Sequence, residues 1–324
     1  MQSTSSFTFS TTTYPVSGVA EHELRYLSTS CPICETTGPV TEVYPANFTL
    51  NDLNPRVFSA RRLPDRIHFR LVRCRGCGLT RSDPIVDPAL LHSLYAESSF
   101  TYGTEVAHLQ RTYARYLRRA KRWARGWESL LEIGCGSGFL LEEASRQGLH
   151  DVRGVEPSCA AVAQAAPWLQ PRIACDSFRP GLFAPESFDV ICLLQVFDHL
   201  AEPAAVLEEC QRLLRPGGLV LVVSHNIEAL SARLLGEKSP VIDIEHTFLY
   251  SPSTLAKLLV RGKFEVVDGG PVWNSCSLNY LGRLVFLPAD FKTALLDLLS
   301  ATGVGRWPLR LPLGNFFQIA RKSV

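Results

Sequence analysis

The chain has 324 residues, of which 46% are hydrophobic and 20% charged, with a formal net charge of +2. That length accommodates one large domain, or a large and a small one, and the composition is globular rather than disordered. The near-neutral balance gives no electrostatic case for a nucleic-acid partner, and no uncharged apolar run reaches the ~18 residues of a membrane-spanning helix.

Met1 to Thr13 is rich in Ser and Thr, with neither a basic start nor an apolar stretch. Residues 1–27 therefore read as a disordered leader rather than a secretory signal, and a cytoplasmic location is expected. Two Cys-x-x-Cys pairs follow, Cys31-Pro32-Ile33-Cys34 and Cys74-Arg75-Gly76-Cys77, with 39 residues between them. Each pair can present two thiolates to one ion, and four thiolates favour zinc, with iron second. Residues 28–84 are thus a candidate four-cysteine zinc-binding module, the metal being structural because four protein ligands leave no open position. The other six cysteines are scattered singly, a pattern that fits a reducing compartment; Cys175, Cys192 and Cys210 read as core thiols.

Residues 85–127 read as a helical linker or cap, with Leu109, Tyr113, Tyr116, Leu117 and Trp123 at helical spacing. The arginines between Arg111 and Arg125 read as the solvated face of that helix. Tyr102 is a candidate cover for a ligand on this side. From residue 128 to 324, short apolar runs alternate with helices, the pattern of a parallel α/β sheet. Strands are predicted at Ser129–Ile133, Val152–Val155, Arg172–Ala174, Phe188–Leu194, Leu219–Ser224, Phe264–Val267 and Asn315–Arg321. Helices are predicted after the first strand through about Gln147, over about Pro203 to Leu214, and from Ser253 to Arg261, with Ser251 or Ser253 as N-cap. A detour of about 45 residues precedes the last strand, and its amphipathic part from Ala289 to Ser300 reads as core cover or a substrate lid.

The first strand runs into Glu132-Ile133-Gly134-Cys135-Gly136-Ser137-Gly138 and then a helix. Glycines there let the backbone bend sharply and approach a ligand. A dinucleotide site wants a third glycine where Phe139 stands, and Glu132 would oppose a pyrophosphate but suit an ammonium. A ligand with an ammonium and no phosphate, such as S-adenosylmethionine (SAM), fits better.

The segment Leu131–Leu140 resembles motif I of class I SAM-dependent methyltransferases. Glu156, Asp176-Ser177, the run Phe188-Asp189-Val190-Ile191 through Gln195-Val196-Phe197-Asp198-His199-Leu200, and Leu213-Leu214-Arg215-Pro216-Gly217-Gly218 resemble its later motifs, in order, over about residues 129–270. Asp198 departs from the family's more familiar Glu.

The resemblance implies a seven-stranded Rossmann-like sheet with a reversed last strand. It also implies a cofactor site drawn from Glu132, Gly134, Cys135, Gly136, Gly138, Glu156, Asp176, Ser177 and Gln195. In it Glu156 grips the ribose, and Asp176 and Ser177 flank the adenine. The paired cysteines resemble the zinc module ahead of some bacterial small-molecule and sugar-modifying methyltransferases.

A small-molecule or glycan-precursor acceptor, methylated at O, C or N, is the first expectation. An RNA base methyltransferase and an inactive SAM- or zinc-binding interaction module are the alternatives. For a base, His246 in Asp243-Ile244-Glu245-His246-Thr247-Phe248 is favoured, with His199 second and His225 third. The sequence leaves the oligomeric state open.

Overall fold

The computed structural model describes residues 10–11, 25–49, 52–54, 57–58, 65–97, 105–284 and 288–323. Tyr102 and most of the leader lie outside them. The strands are β1 (Ser10–Thr11), β2 (Arg25–Leu27), β3 (Val40–Tyr44), β4 (Leu71–Cys74), β5 (Thr80–Ser82), β6 (Ile85–Val86), β7 (Ser129–Ile133), β8 (Asp151–Val155), β9 (Ile173–Ala174), β10 (Phe188–Leu194), β11 (Leu214–His225), β12 (Phe248–Leu249), β13 (Phe264–Ser277) and β14 (Pro308–Lys322). The helices are α1 (Pro88–Ala96), α2 (Val106–Ala120), α3 (Phe139–Arg146), α4 (Cys159–Val162), α5 (Pro203–Leu213), α6 (Leu230–Leu235), α7 (Pro252–Arg261), α8 (Leu278–Leu284) and α9 (Ala289–Ala301).

Seven strands form the main sheet in the order β13-β14-β11-β10-β7-β8-β9. All pairings are parallel except those of β14, which runs antiparallel to both β11 and β13. This is the Rossmann-like methyltransferase sheet with its reversed last strand. Alternate residues of the central strands feed two cores, as a sheet covered on both faces requires. Leu131, Ile133, Ile191, Leu193, Val220 and Val222 pack with Leu207, Leu213, Leu255 and Leu258 of α5 and α7. Leu130, Val190, Cys192, Leu221 and Val223 pack on the other face with Leu109, Tyr113 and Leu117 of α2 and with Leu140 and Leu141 of α3. The α2 stretch read as a linker is therefore a core helix of the main layer. Helix α7 starts at Ser251, which forms a capping box with Thr254.

Three elements differ from the sequence reading. The last two strands extend well beyond Val267 and begin well before Asn315, pairing as a long hairpin from Phe264–Lys322 to Ser277–Pro308. Register shifts between Val266 and Asp268 and between Pro271 and Trp273 absorb Gly269, Gly270 and Pro271 without ending the ladder. No described residue of α8 or α9 lines the cleft, and Phe291 and Leu298 are exposed rather than packed on the core. Cys175 is not a core thiol. It is exposed and disulfide-bonded to Cys159, because the loops after adjacent parallel strands β8 and β9 bring the two Cα atoms to 5.4 Å. Cys192 and Cys210 are buried, as expected. Among the described residues no helix is long and apolar enough to cross a membrane.

The cysteine region is not an appendage. Strands β3, β4 and β5 form a four-stranded sheet whose fourth member is β12, contributed by the segment just after His246. Cys31, Cys74 and Leu79 share a core with Leu207, Tyr250 and Leu255. Lys257 and Arg261 of α7 donate hydrogen bonds to the carbonyls of Cys77 and Ile33.

Candidate active site

A cavity of about 370 Å³ opens at the carboxyl ends of β7, β8, β10 and β11, the edge where open α/β sheets bind ligands. Its floor is the glycine turn. Gly134, Gly136 and Gly138 all have positive φ, and a Cβ on Gly134 would collide with Val196. Gly134, Cys135 and Gly136 line the cavity, while Gly138 lies behind them as the left-handed cap of α3.

Two carboxylates face this floor. Glu132 is buried, and its Oε2 has no hydrogen-bond partner. Burial and the neighbouring Glu156 push its carboxyl well above the usual range. An orphaned, desolvated carboxylate is what an incoming ammonium would satisfy. Glu156 accepts hydrogen bonds from the N–H groups of Gly136 (2.8 Å) and Ser158 (2.9 Å). Gln195 lines the wall with positive φ and a buried, unpartnered Oε1. Ser177 lines the cavity and bonds His92 Nδ1 through its hydroxyl at 2.7 Å. Asp176 does not reach the wall; its carboxylate caps the Ser177 N–H and pairs with Arg179. The donor set, an orphaned buried carboxylate beside a second carboxylate at the glycine turn, fits a ligand with an ammonium and hydroxyls such as SAM.

Three imidazoles crowd one carboxylate at the other end of the cavity. Asp198 is 1% exposed. Its Oδ2 lies 2.7 Å from His225 Nδ1 and 4.0 Å from His246 Nε2, and its Oδ1 lies 3.8 Å from His199 Nε2. Burial alone would raise its pKa, but the His225 hydrogen bond and the nearby imidazoles together hold it far below the usual carboxylate range. All three histidines line the cavity, yet they are held differently. His246 is buried, with Nδ1 at 2.7 Å from the Val241 carbonyl, and burial pulls its pKa down. His199 Nδ1 is 3.0 Å from the Tyr95 hydroxyl. His225 keeps a quarter of its side chain exposed while Asp198 holds its Nδ1. Tyr95 was missed in the sequence, where it looks like one more aromatic on an amphipathic helix beside Leu91 and Leu94.

The four-cysteine cluster lies behind the His246 loop. The Cys31 and Cys77 sulfurs are 3.4 Å apart and those of Cys34 and Cys74 are 3.9 Å apart, all four lying within 4.8 Å of one another. Four thiolates around a tetrahedral zinc at about 2.3 Å stand about 3.8 Å apart, so the arrangement fits the ion. Ser82 in β5 donates its hydroxyl to the His246 carbonyl at 3.0 Å, and its N–H bonds the Thr247 carbonyl at 2.8 Å.

A family model described as a methyltransferase domain matches residues 106–268, half of the chain. Curated relatives named ubiquinone biosynthesis O-methyltransferase include one from Parvibaculum lavamentivorans, 32% identical over 129 residues, with 38% of this chain and 51% of that protein covered. Another from Cereibacter sphaeroides (strain ATCC 17029) is 29% identical over 186 residues, covering 51% of this chain and 72% of the relative. The chain thus spans about half the length of the first of these. Among solved structures, a SAM-dependent methyltransferase from Archaeoglobus fulgidus is 17% identical, with a TM-score of 0.45 and coverage of 73% of this chain and all of that one. By its family match and its sheet, the chain belongs to the SAM-dependent methyltransferases of the methyltransferase domain family.

Proposed function

We propose that the protein is a small-molecule O-methyltransferase that deprotonates a phenolic hydroxyl with His225, and that Cys31, Cys34, Cys74 and Cys77 hold a structural zinc. The carrying observation is the 2.7 Å bond between Asp198 Oδ2 and His225 Nδ1. It fixes the tautomer so that Nε2 is the basic nitrogen, as in other carboxylate-imidazole pairs. SAM supplies the methyl as an electrophilic sulfonium. The acceptor proton passes to His225 Nε2, the oxygen lone pair forms the new O–C bond, and the C–S bond breaks to leave the neutral thioether. A phenol suits this base, because an aromatic hydroxyl near pKa ~10 is within reach of an imidazole whereas an alkanol is not. Tyr95, Phe178 and Leu200 give the cavity the apolar walls such a ring needs. The names of the relatives agree with transfer to oxygen.

This assignment moves the base away from His246. Its buried ring and its bond to Val241 make it a wall of the cavity and a support for Asp198. The same carboxylate and two imidazoles, Asp198, His225 and His246, also lie close enough together to hold a divalent cation. The 2.7 Å contact between Asp198 Oδ2 and His225 Nδ1 is a hydrogen-bond distance, and that is the observation favouring the base reading.

Calorimetry tests the cofactor half of the proposal. SAM binds, and Glu156→Ala weakens it about tenfold to a hundredfold, the loss expected for charge-assisted hydrogen bonds to two hydroxyls. Because the Glu132 carboxyl is raised, SAM binding to its ionised form releases protons and strengthens as pH rises. Unchanged affinity in Glu156→Ala overturns the ribose assignment.

A further inference from the structure

A second cavity, of about 450 Å³, lies on the outer side of α2 between that helix and the β13–β14 hairpin. Arg115, Arg118, Arg119, Arg122 and Arg310 line it, beside the indole of Trp273. It shares no lining residue with the cofactor cavity, although α2 is a wall of both: Leu109 and Tyr113 face the cofactor side.

The charge in this cavity is unbalanced. Asp268 takes both of its oxygens to Arg119, at 2.6 and 2.8 Å, and one of them also accepts the Trp123 indole N–H. Among the described residues, no carboxylate lies within ion-pair distance of Arg115, Arg118, Arg122 or Arg310. Four uncompensated guanidiniums in one pocket exceed the net charge of +2 carried by the entire chain. Arg115 is half-buried, spends one N–H on the Trp273 carbonyl at 2.9 Å, and faces Arg310 across the cavity. Arg115, Arg118 and Arg119 share one face of α2, Arg122 follows just beyond its end, and all but Arg115 are exposed. Here the hairpin brings a fifth, Arg310, from 188 residues beyond Arg122 to the same pocket. Like charges gathered in one place repel, and an anion seated among them relieves that repulsion.

We propose that this pocket is a binding site for a phosphorylated small molecule, distinct from the methyl-transfer site. Planar guanidinium forks match phosphate oxygens two at a time, which is why arginine is preferred where a phosphate is gripped. The exposed face of Trp273, 46% accessible, offers a flat surface to the remainder of the ligand. The volume exceeds what a single phosphate needs, so a polyphosphate or a phosphate ester fits better than the free ion.

The test uses the full-length protein and pyrophosphate as probe, by calorimetry at low ionic strength. Saturable binding that weakens as salt is added is expected. The pair Arg115→Gln with Arg310→Gln reduces the affinity at least tenfold. Arg111→Gln, on the same helix but outside the cavity, leaves it unchanged. SAM binding persists in both variants, which shows that they are folded and separates this result from the methyl-transfer assignment. Absence of pyrophosphate binding at millimolar concentration overturns the proposal, as does an equal loss in Arg111→Gln. Binding to phosphatidylglycerol vesicles without binding to pyrophosphate also overturns it, by assigning the arginines to a lipid surface.

Discussion

His225→Ala lowers kcat for methyl transfer by about a hundredfold to ten-thousandfold, the range lost when a general base is removed. SAM affinity changes little, because the lost interaction belongs to the transition state. Asp198→Asn reproduces most of the loss while leaving the imidazole in place. The amide stabilises neither the required tautomer nor the imidazolium that forms on proton transfer. The pH profile separates base from support. Asp198 stays ionised throughout the neutral range, because its hydrogen bond and surrounding imidazoles outweigh its burial. A fall in rate on acidification therefore belongs to the imidazole cluster and not to the carboxylate. An acid limb in the wild-type rate is expected to be absent in His225→Ala. His246→Gln is the contrasting variant. It disturbs the cavity wall and the Val241 contact and lowers kcat, but it keeps the acid limb. Retention of the limb in His225→Ala together with its loss in His246→Gln would return the role to His246.

The second large effect concerns the metal. Purified protein carries about one zinc per chain, and Cys74→Ser or exhaustive chelation removes it, with elemental analysis as the check. The consequence reaches the reaction, because the sheet that carries the cysteines includes β12 and Ser82 holds the His246 carbonyl. Loss of the ion loosens β4 and β5, and with them the loop that packs His246 against Asp198. A misplacement on the order of 1 Å there costs about a hundredfold in kcat. SAM affinity persists, since Glu132, Glu156 and the glycine turn stand on β7 and β8, away from the cysteines. A metal-free protein with full kcat contradicts this coupling, and zinc-free, freshly purified, reduced protein contradicts the site itself.

The main sheet was legible because each signal was local. The glycine turn after Ser129–Ile133 and the apolar run Phe188–Leu194 each mark themselves within about ten residues. That Glu132 and Glu156 line one cavity was legible for the same reason, since each stands at or near the carboxyl end of a strand. What could not be read depends on distant pairing. Nothing near Thr80 announces that β5 pairs with Phe248–Leu249, so the cysteine region looked like a separate module. The choice among His199, His225 and His246 turns on which imidazole Asp198 touches, and residues 198, 225 and 246 are brought together only by the β10 and β11 crossings. The hairpin was read too short because its ladder continues through two register shifts that only the pairing of β13 with β14 reveals. Cys159, at the start of α4, and Cys175, just after β9, stand 16 residues apart, a proximity that only the strand order creates.

Transfer of a methyl group from SAM to an aromatic oxygen is tested most directly by incubating the purified zinc-loaded protein with methyl-labelled SAM and a fraction of phenolic metabolites. The labelled product is then identified by mass spectrometry and NMR. The expected product is an aryl methyl ether whose formation requires His225 and Asp198. A label found on carbon or nitrogen, or no transfer by protein that binds SAM with normal affinity, contradicts the assignment.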